Sequence, residues 1–212
     1  MGYHGKLQPT HTGHQMPSEP TQETPTLFTE RLVLRLPAVD EADSMAAYWT
    51  ANLDYFNRYN PTRGPETCDP ARWRLQLARN LDDARLARAL RLSMYLRDDP
   101  DGPMIGDCNL TNIERGAVQS CRLGYKLDQR HQGRGLMTEA VIAACAHAFS
   151  ALDLHRVEAN HMVGNDASAR VLRRAGFTVE GRSPDYLFVG GAWRDHMRCA
   201  LTNTDPKPPR LR

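Results

Sequence analysis

The first regular pattern of apolar and polar residues begins at Leu32. Residues 32–36 alternate as in a half-buried strand, and Pro37 stops the run. Asp40 stands where it could cap a helix that continues through Trp49. The pattern therefore predicts a fold that starts with a strand followed by a helix.

A second helix is predicted to begin at Asp69–Pro70, because proline is favoured in the first helical turn. Its apolar stripe consists of Trp73, Leu77 and Leu81. The same segment is rich in arginine, at Arg72, Arg79, Arg85, Arg88 and Arg91. We interpret these arginines as a solvated face rather than as a nucleic-acid site.

Three strands are predicted after these helices. Residues 90–96 alternate up to a turn at 98–102, which contains the proline and glycine that such turns favour. Strands at 104–113 and 118–127 follow and are joined around Arg115–Gly116. These strands predict an antiparallel meander.

The rest of the chain alternates between helix and strand. Apolar residues recur at helical spacing from Leu136 to Phe149, and a strand is predicted at 155–161. Either Asn165 or Asp166 is predicted to cap the next helix, and Gly176 ends it. Two final strands, 178–189 and 192–202, turn at Gly190–Gly191. The order predicts an α/β (α+β) fold, a mixed sheet of about seven strands covered by helices.

Length and composition limit the possibilities further. The 212 residues suffice for one domain, which we place at 26–204, with a disordered tail at 1–25 and a short tail at 205–212. The net charge of +2 argues against a DNA-coating protein, and no apolar run is long enough to span a membrane. Five widely spaced cysteines argue against a disulfide framework and favour a reducing compartment. We expect a cytoplasmic monomer or homodimer.

No metal site is predicted in the body of the chain, because His131, His147 and His161 lack metal-ligand spacing. After removal of Met1, His4 could chelate copper or nickel together with the free amine. The favoured interpretation is that this histidine binds no physiological metal.

The strongest signal for chemistry is the segment 123–136, where a strand leads through a loop that contains Gly133 and Gly135 into a helix. The amides at a helix N-terminus are unpaired and lie at the positive end of the helix dipole, which favours a phosphate group. Arg130 and Arg134 could add charge-assisted hydrogen bonds to a pyrophosphate. The loop therefore predicts a phosphate-binding site.

The pattern Arg130-x-x-Gly133-x-Gly135 resembles the Q/R-x-x-G-x-G/A signature of the GNAT superfamily, whose members bind the acetyl-CoA pyrophosphate there. Residues 29–35, 185–187 and 191–196 resemble the RimJ/RimL-type ribosomal-protein-alanine N-acetyltransferases, closest to RimJ. The resemblance covers about 29–203 and implies a mostly antiparallel GNAT sheet. It also implies an acetyl-CoA site formed by Tyr125, Lys126, Leu127, Arg130, Gln132, Gly133, Arg134, Gly135, Leu136, Met137, Asn165 and Ser168.

The same resemblance suggests catalytic groups. Ser168, in Asn165-x-x-Ser168, would protonate the leaving thiolate, as on the RimL side of the family. The RimL acidic residue falls on Leu187 here, so the base is sought elsewhere, at Glu158 or Asp185. Main-chain amides near Tyr125 to Leu127 would stabilise the oxyanion.

The resemblance also implies that the acceptor is the N-terminal α-amine of a ribosomal protein. An α-amine with a pKa of about 7.7–8.0 is partly neutral at cytoplasmic pH, so it requires only a weak base. Candidate contacts are Tyr55, Phe56, Tyr59, Asp185 and Trp193. The alternatives are transfer to a small amine, such as an antibiotic, polyamine or amino acid, and a ribosome-assembly role that does not need the chemistry.

Overall fold

The structure is a computed structural model that describes residue 1 and residues 24–205. Nearly all of the predicted N-terminal tail, all but one residue of the C-terminal tail, and the His4 chelate lie outside the described residues. Within the described part of the chain, no helix is both long and apolar enough to cross a membrane.

Eight strands form a single sheet in the order β1-β2-β3-β4-β5-β6-β8-β7. Their bounds are β1 Thr26–Phe28, β2 Leu32–Arg35, β3 Leu90–Leu96, β4 Gly106–Glu114, β5 Ser120–Leu127, β6 Arg156–Met162, β7 Thr178–Val189 and β8 Ala192–Thr202. All neighbouring pairs are antiparallel except β5 and β6, which are parallel. The α/β class is confirmed, and the additional strand is the three-residue β1, which is too short to produce an alternating pattern.

Four α-helices cover the sheet: α1 Ala42–Phe56, α2 Pro70–Arg85, α3 Leu136–Ser150 and α4 Asp166–Arg174. Helices α3 and α4 pack on one face, where Val141, Val157 and Leu172 belong to the larger hydrophobic core. Helices α1 and α2 pack on the other face around Trp49 and Leu77. The sheet therefore separates two cores, and each face presents its own side chains to a ligand.

Side-chain capping explains where two of the four helices begin. The Asp69 side chain accepts a hydrogen bond from Ala71 N at 2.8 Å, and Asn165 caps α4. The prediction that Asp40 caps α1 is wrong, because a 3₁₀ turn at Val39–Glu41 precedes that helix. The Glu41 carboxylate accepts a hydrogen bond from Ala38 N in that turn.

The pairing of β5 with β6 ends early. Only Ser120, Cys121 and Arg122 have partners on β6, although β5 continues to Leu127 and β6 continues to Met162. The two strands separate beyond Arg122. Main-chain groups on their facing edges, which a continuous sheet would pair, are thus free to meet a ligand.

Candidate active site

A cleft with a volume of about 670 Å³ opens where β5 and β6 separate. The end of β5, the first turns of α3 and α4, and the end of α1 form its walls. Ten predicted acetyl-CoA residues line it: Tyr125, Lys126, Leu127, Gln132, Gly133, Gly135, Leu136, Met137, Asn165 and Ser168. Residues from four separate elements are thus brought together.

The glycine loop presents main-chain amides to this cleft. Gly133 and Gly135 have φ of 76° and 78°, a region that glycine adopts without steric cost. Among residues 24–205, no acceptor meets the backbone N–H groups of residues 133–138. A Cβ added at Gly133 would meet no atom within 4 Å, so the space beside the loop is open. The loop therefore fits an anion bound by main-chain amides.

The buried Asp128 holds this loop in place. Its carboxylate accepts hydrogen bonds from Arg130 N at 2.8 Å, from Arg130 Nη2 at 2.6 Å and from Asn52 Nδ2 at 3.1 Å. The hydrogen bonds from the Arg130 guanidinium, from Arg130 N and from Asn52 outweigh the opposing effect of burial and hold the pKa of Asp128 well below its usual range. Asp128 is thus an ionised anchor between the loop and α1.

The two arginines predicted at the pyrophosphate do not line the cleft. Arg130 is bound to Asp128, although its side chain is 70% exposed. The carbonyl of Arg134 accepts a hydrogen bond from Arg31 Nη1 at 2.9 Å, and the Arg134 side chain is not part of the cleft wall. Main-chain amides, rather than these guanidinium groups, border the cleft in the structure.

The end of β5 supplies further amides. Lys126 pairs with Asp107 of β4, and Asp128 N donates to Ile105 O at 2.8 Å. Because the amides of a strand point alternately to its two edges, those of Lys126 and Asp128 both point towards β4. The amides of Tyr125 and Leu127 point to the opposite edge. That edge has no strand partner beyond Arg122, so both N–H groups face the cleft.

A hydroxyl pair joins β5 to α4. Tyr125 Oη lies 2.8 Å from Ser168 Oγ, and Asn165 Oδ1 accepts a hydrogen bond from Ser168 N at 3.1 Å. Burial raises the pKa of Tyr125, so its phenol stays protonated and can donate. The pair therefore presents hydroxyl donors to the cleft.

The predicted acceptor contacts divide into two groups. Tyr55, Phe56 and Tyr59 line the cleft, and Tyr55 Oη accepts a hydrogen bond from Gln132 Nε2. Trp193 is 61% exposed and packs on Phe188 in the β7–β8 hairpin, outside the cleft wall. The aromatic residues at the end of α1 thus form the wall that an acceptor would meet.

Neither predicted base lines the cleft. Glu158 is paired with Arg156 Nε at 2.9 Å and with Arg198 Nη2 at 3.3 Å. Asp185 N donates to Asp195 Oδ1 in a bulged part of β7. The Glu158 carboxylate is thus held in ion pairs between β6 and β8, and the main chain of Asp185 is held by Asp195 of β8.

Sequence reasoning missed several lining residues, including Asn160, Leu187 and the buried His196. His196 does stand in the 191–196 segment that resembles RimJ, but nothing in a single sequence indicates the direction of its side chain. Among the described residues, no three His, Cys, Asp or Glu side chains form a group that could hold a metal ion.

Residues 31–178 match the family model described as an acetyltransferase (GNAT) domain. Together with the separated strands and the amide-rich loop, this match defines the class of protein. The chain belongs to the GNAT acetyltransferase family, as the resemblance of its loop predicts, and the predicted GNAT fold is confirmed.

Particular relatives narrow the comparison. The chain is 36% identical over 184 residues to the ribosomal protein uS5-alanine N-acetyltransferase of Escherichia coli (strain K12). The aligned region covers 87% of this chain and 94% of the Escherichia coli protein. The structure of the present chain matches that of the ribosomal-protein-S5-alanine acetyltransferase of Vibrio fischeri with a TM-score of 0.82 and 30% identity. The match covers 86% of the present chain and 99% of the Vibrio protein. Mycobacterium smegmatis RimJ, in complex with CoA-disulfide, matches with a TM-score of 0.76 and 28% identity, over 84% and 86%.

Proposed function

We propose that this protein transfers the acetyl group of acetyl-CoA to the N-terminal α-amine of a ribosomal protein. The observation that carries the proposal is the cleft between β5 and β6, bordered by unpaired amides at residues 133–138 and by the free edge of β5. This arrangement suits a phosphate at the loop and a thioester at the strand.

Each part of the cleft has a proposed role. The amides of the glycine loop hold the pyrophosphate, and Asn165 contacts the pantetheine arm in addition to capping α4. The amides of Tyr125 and Leu127 stabilise the oxyanion, an effect typically of about 2.7–4 kcal/mol per donor. Ser168, hydrogen-bonded to Tyr125, supplies the proton that the leaving thiolate takes up.

The acceptor is assigned from the shape of the cleft and from the relatives. The cleft passes between two strands and so connects the α3/α4 face of the sheet with the α1/α2 face, which leaves room for a chain to extend beyond its first residue. The two ribosomal-protein-alanine acetyltransferases described above support an N-terminal alanine as acceptor. Action on newly made ribosomal proteins would take place in the cytoplasm.

The direct test is an assay of purified protein with acetyl-CoA and a peptide that begins with alanine, followed by mass spectrometry. We expect one added acetyl group on the α-amine and none on the same peptide with a blocked N-terminus. Acetylation of spermidine or of a free amino acid, with no reaction on the peptide, would contradict the proposed acceptor. Binding of acetyl-CoA without turnover on any amine would favour the non-catalytic ribosomal role.

A further inference from the structure

His196 lies on β8, where it is paired with Met162 of β6 and Ser183 of β7. It is only 2% exposed, yet it lines the cleft between β5 and β6. A buried histidine that borders a reaction cleft is a candidate for proton transfer, provided that one ring nitrogen is free.

The hydrogen bonding of the ring determines which nitrogen is free. Nδ1 of His196 lies 2.9 Å from the carbonyl oxygen of Arg194, which can only accept a hydrogen bond. In the neutral ring the proton therefore stays on Nδ1, and Nε2 carries a lone pair. Within residues 24–205 Nε2 has no hydrogen-bond partner, and it is not among the fully buried unpaired atoms. This nitrogen therefore retains contact with the cleft.

The alternation of the strands places His196 on one side of the sheet. On β6, Val157 and Ala159 point into the core under α3, so Asn160 and Met162 point to the other face. His196 is the cross-strand partner of Met162 and shares that face. This face is covered by α1 and α2 and includes the aromatic wall of the cleft.

The Tyr125–Ser168 pair lies on the opposite face. Cys121 is the parallel partner of Val157 and points to the α3 side, and residues Leu123 and Tyr125 follow at the same two-residue spacing. Different residues, on opposite faces of the sheet, would therefore donate a proton to the leaving thiolate and accept one from the incoming amine.

Among the described residues one other histidine, His161, lines the cleft, but it alternates with Asn160 and Met162 along β6 and so points to the α3 face. Leu187 also lines the cleft but cannot accept a proton, and Glu158 is paired with Arg156 and Arg198. The neighbouring Asp195 is bound to Arg182.

The Glu158 and Asp195 carboxylates are therefore already paired with arginines. Arg198 also stacks on Tyr186, and the Tyr186 ring packs 5.5 Å from the His196 ring. Both carboxylates are bound by arginines, so neither is a hydrogen-bond partner of Nε2.

We propose that His196 is the general base of the reaction, an inference that rests on the proposed acetyl transfer. As the acceptor nitrogen forms its bond to the acetyl carbon, Nε2 takes one proton from that nitrogen, directly or through one water. The C–S bond then breaks, and the thiolate leaves with a proton from Ser168 and Tyr125. After the products depart, the imidazolium that forms returns its proton to solvent, and the Ser168–Tyr125 pair takes one proton back from solvent.

The first test replaces His196 with asparagine. The side-chain amide of His196→Asn can still donate to the Arg194 carbonyl, but it has no counterpart of Nε2. We expect kcat to fall by about 10²–10⁴-fold, with the melting temperature and the affinity for acetyl-CoA close to those of the wild type. A variant that keeps at least about a third of the wild-type kcat would overturn the proposal.

A matched control is His155→Asn, the same change at an exposed histidine that precedes β6. It should retain full activity. The two variants carry the same chemical replacement. A fall in kcat that occurs only in His196→Asn therefore reports on the position of His196 in the cleft.

The second test uses the wild-type protein and does not depend on the folding of a variant. The pH profile of kcat/KM is measured with a peptide that begins with alanine and with one that begins with 3-fluoroalanine, whose amine has a lower pKa. A limb that moves between the two profiles belongs to the amine, and a limb that stays fixed belongs to the protein. We expect a fixed acid limb that is absent in His196→Asn; a profile with only the moving limb would overturn the assignment.

These outcomes can be separated from failure of the proposed function. If the wild type acetylates spermidine but no peptide, the proposed acceptor is wrong, and the wild type and His196→Asn are then compared on spermidine. If the wild type acetylates no amine although it binds acetyl-CoA, both proposals fail together.

Discussion

Gly133 illustrates how a single residue prepares the cleft. Its φ of 76° and the open space beside it let the chain turn while its amide stays exposed to the cleft. Gly116 offers a comparison, because it has a φ of 71° and equally open space in the β4–β5 turn, away from the cleft. Both residues need a positive φ, but only Gly133 borders the cleft.

Gly133→Val is expected to raise the dissociation constant for acetyl-CoA at least about tenfold, since a loss of 1.4 kcal/mol already has that effect. The physical reason is that the new side chain would occupy the place proposed for the phosphate. Calorimetric titration measures the affinity, and thermal melting measures the cost of the strained φ. Gly116→Val should show a similar loss of stability with unchanged affinity; equal losses of affinity in both variants would contradict the placement of the site.

Ser168→Ala tests the hydroxyl pair. Removal of an oxygen 2.8 Å from Tyr125 Oη should lower kcat by about 10–100-fold, because the proton path to the leaving thiolate is interrupted. The KM for acetyl-CoA should change little, since the Asn165 bond to the backbone of residue 168 persists. Ser150→Ala, which removes an exposed hydroxyl at the end of α3, is the control. An unchanged kcat would leave Ser168 with only a structural role.

The sequence predicts residues of the cleft well where they belong to a short contiguous motif. Gly133, Gly135, Asn165 and Ser168 stand in short contiguous patterns, and all four line the cleft. Arg130 follows the same pattern, but its guanidinium binds Asp128, a contact that depends on the fold of the turn.

At the scale of elements, the turn that follows β5 depends on one carboxylate. Asp128 connects the 3₁₀ turn Gln129–His131 to Asn52 of α1, so it fixes the position of the loop amides. Asp128→Asn should lower the free energy of unfolding at pH 7 by about 1–3 kcal/mol, because a buried hydrogen-bonded charge is lost. For a domain of this size each kcal/mol lowers the melting temperature by about 2–4 °C.

The pH dependence of this loss has a definite sign. The folded-state pKa of Asp128 is depressed below the ordinary value of 3.8, so its stabilisation is complete well above that pH. The stabilisation declines as the pH falls through the range below 3.8. The difference in unfolding free energy between the wild type and Asp128→Asn should therefore narrow between pH 7 and pH 3. Asp82→Asn, at a 69% exposed aspartate, should show a change below about 0.5 kcal/mol at both pH values.

Whole elements are predictable where their signals are local. The pairs Asp69–Pro70 and Gly190–Gly191 mark a helix start and a hairpin in the sequence and in the structure alike, and both hairpin glycines have positive φ. The start of α1 was harder to predict, because the competing 3₁₀ turn depends on Glu41, which also bonds Arg35 and Tyr95 from the neighbouring sheet.

At the scale of the whole molecule, the cleft depends on a pairing between distant parts of the chain. Cys121 of β5 meets Val157 of β6, and the two strands then separate. No local pattern in either strand indicates where this pairing stops. For the same reason the direction of His196, which reaches the cleft across two strand pairings, could not be read from the sequence.

The early end of the β5–β6 pairing leaves a gap that a bound molecule could fill as if it were a strand. The amides of Tyr125 and Leu127 would then exchange with deuterium faster than those of Lys126, which is paired with β4. Added acetyl-CoA should slow exchange at Tyr125 and Leu127 and leave Lys126 nearly unchanged, which amide-resolved mass spectrometry can measure. Bound acetyl-CoA would then satisfy the hydrogen-bonding groups that β6 leaves unpaired on β5. The concentration of acetyl-CoA in the cell would set the fraction of molecules in which these groups are paired.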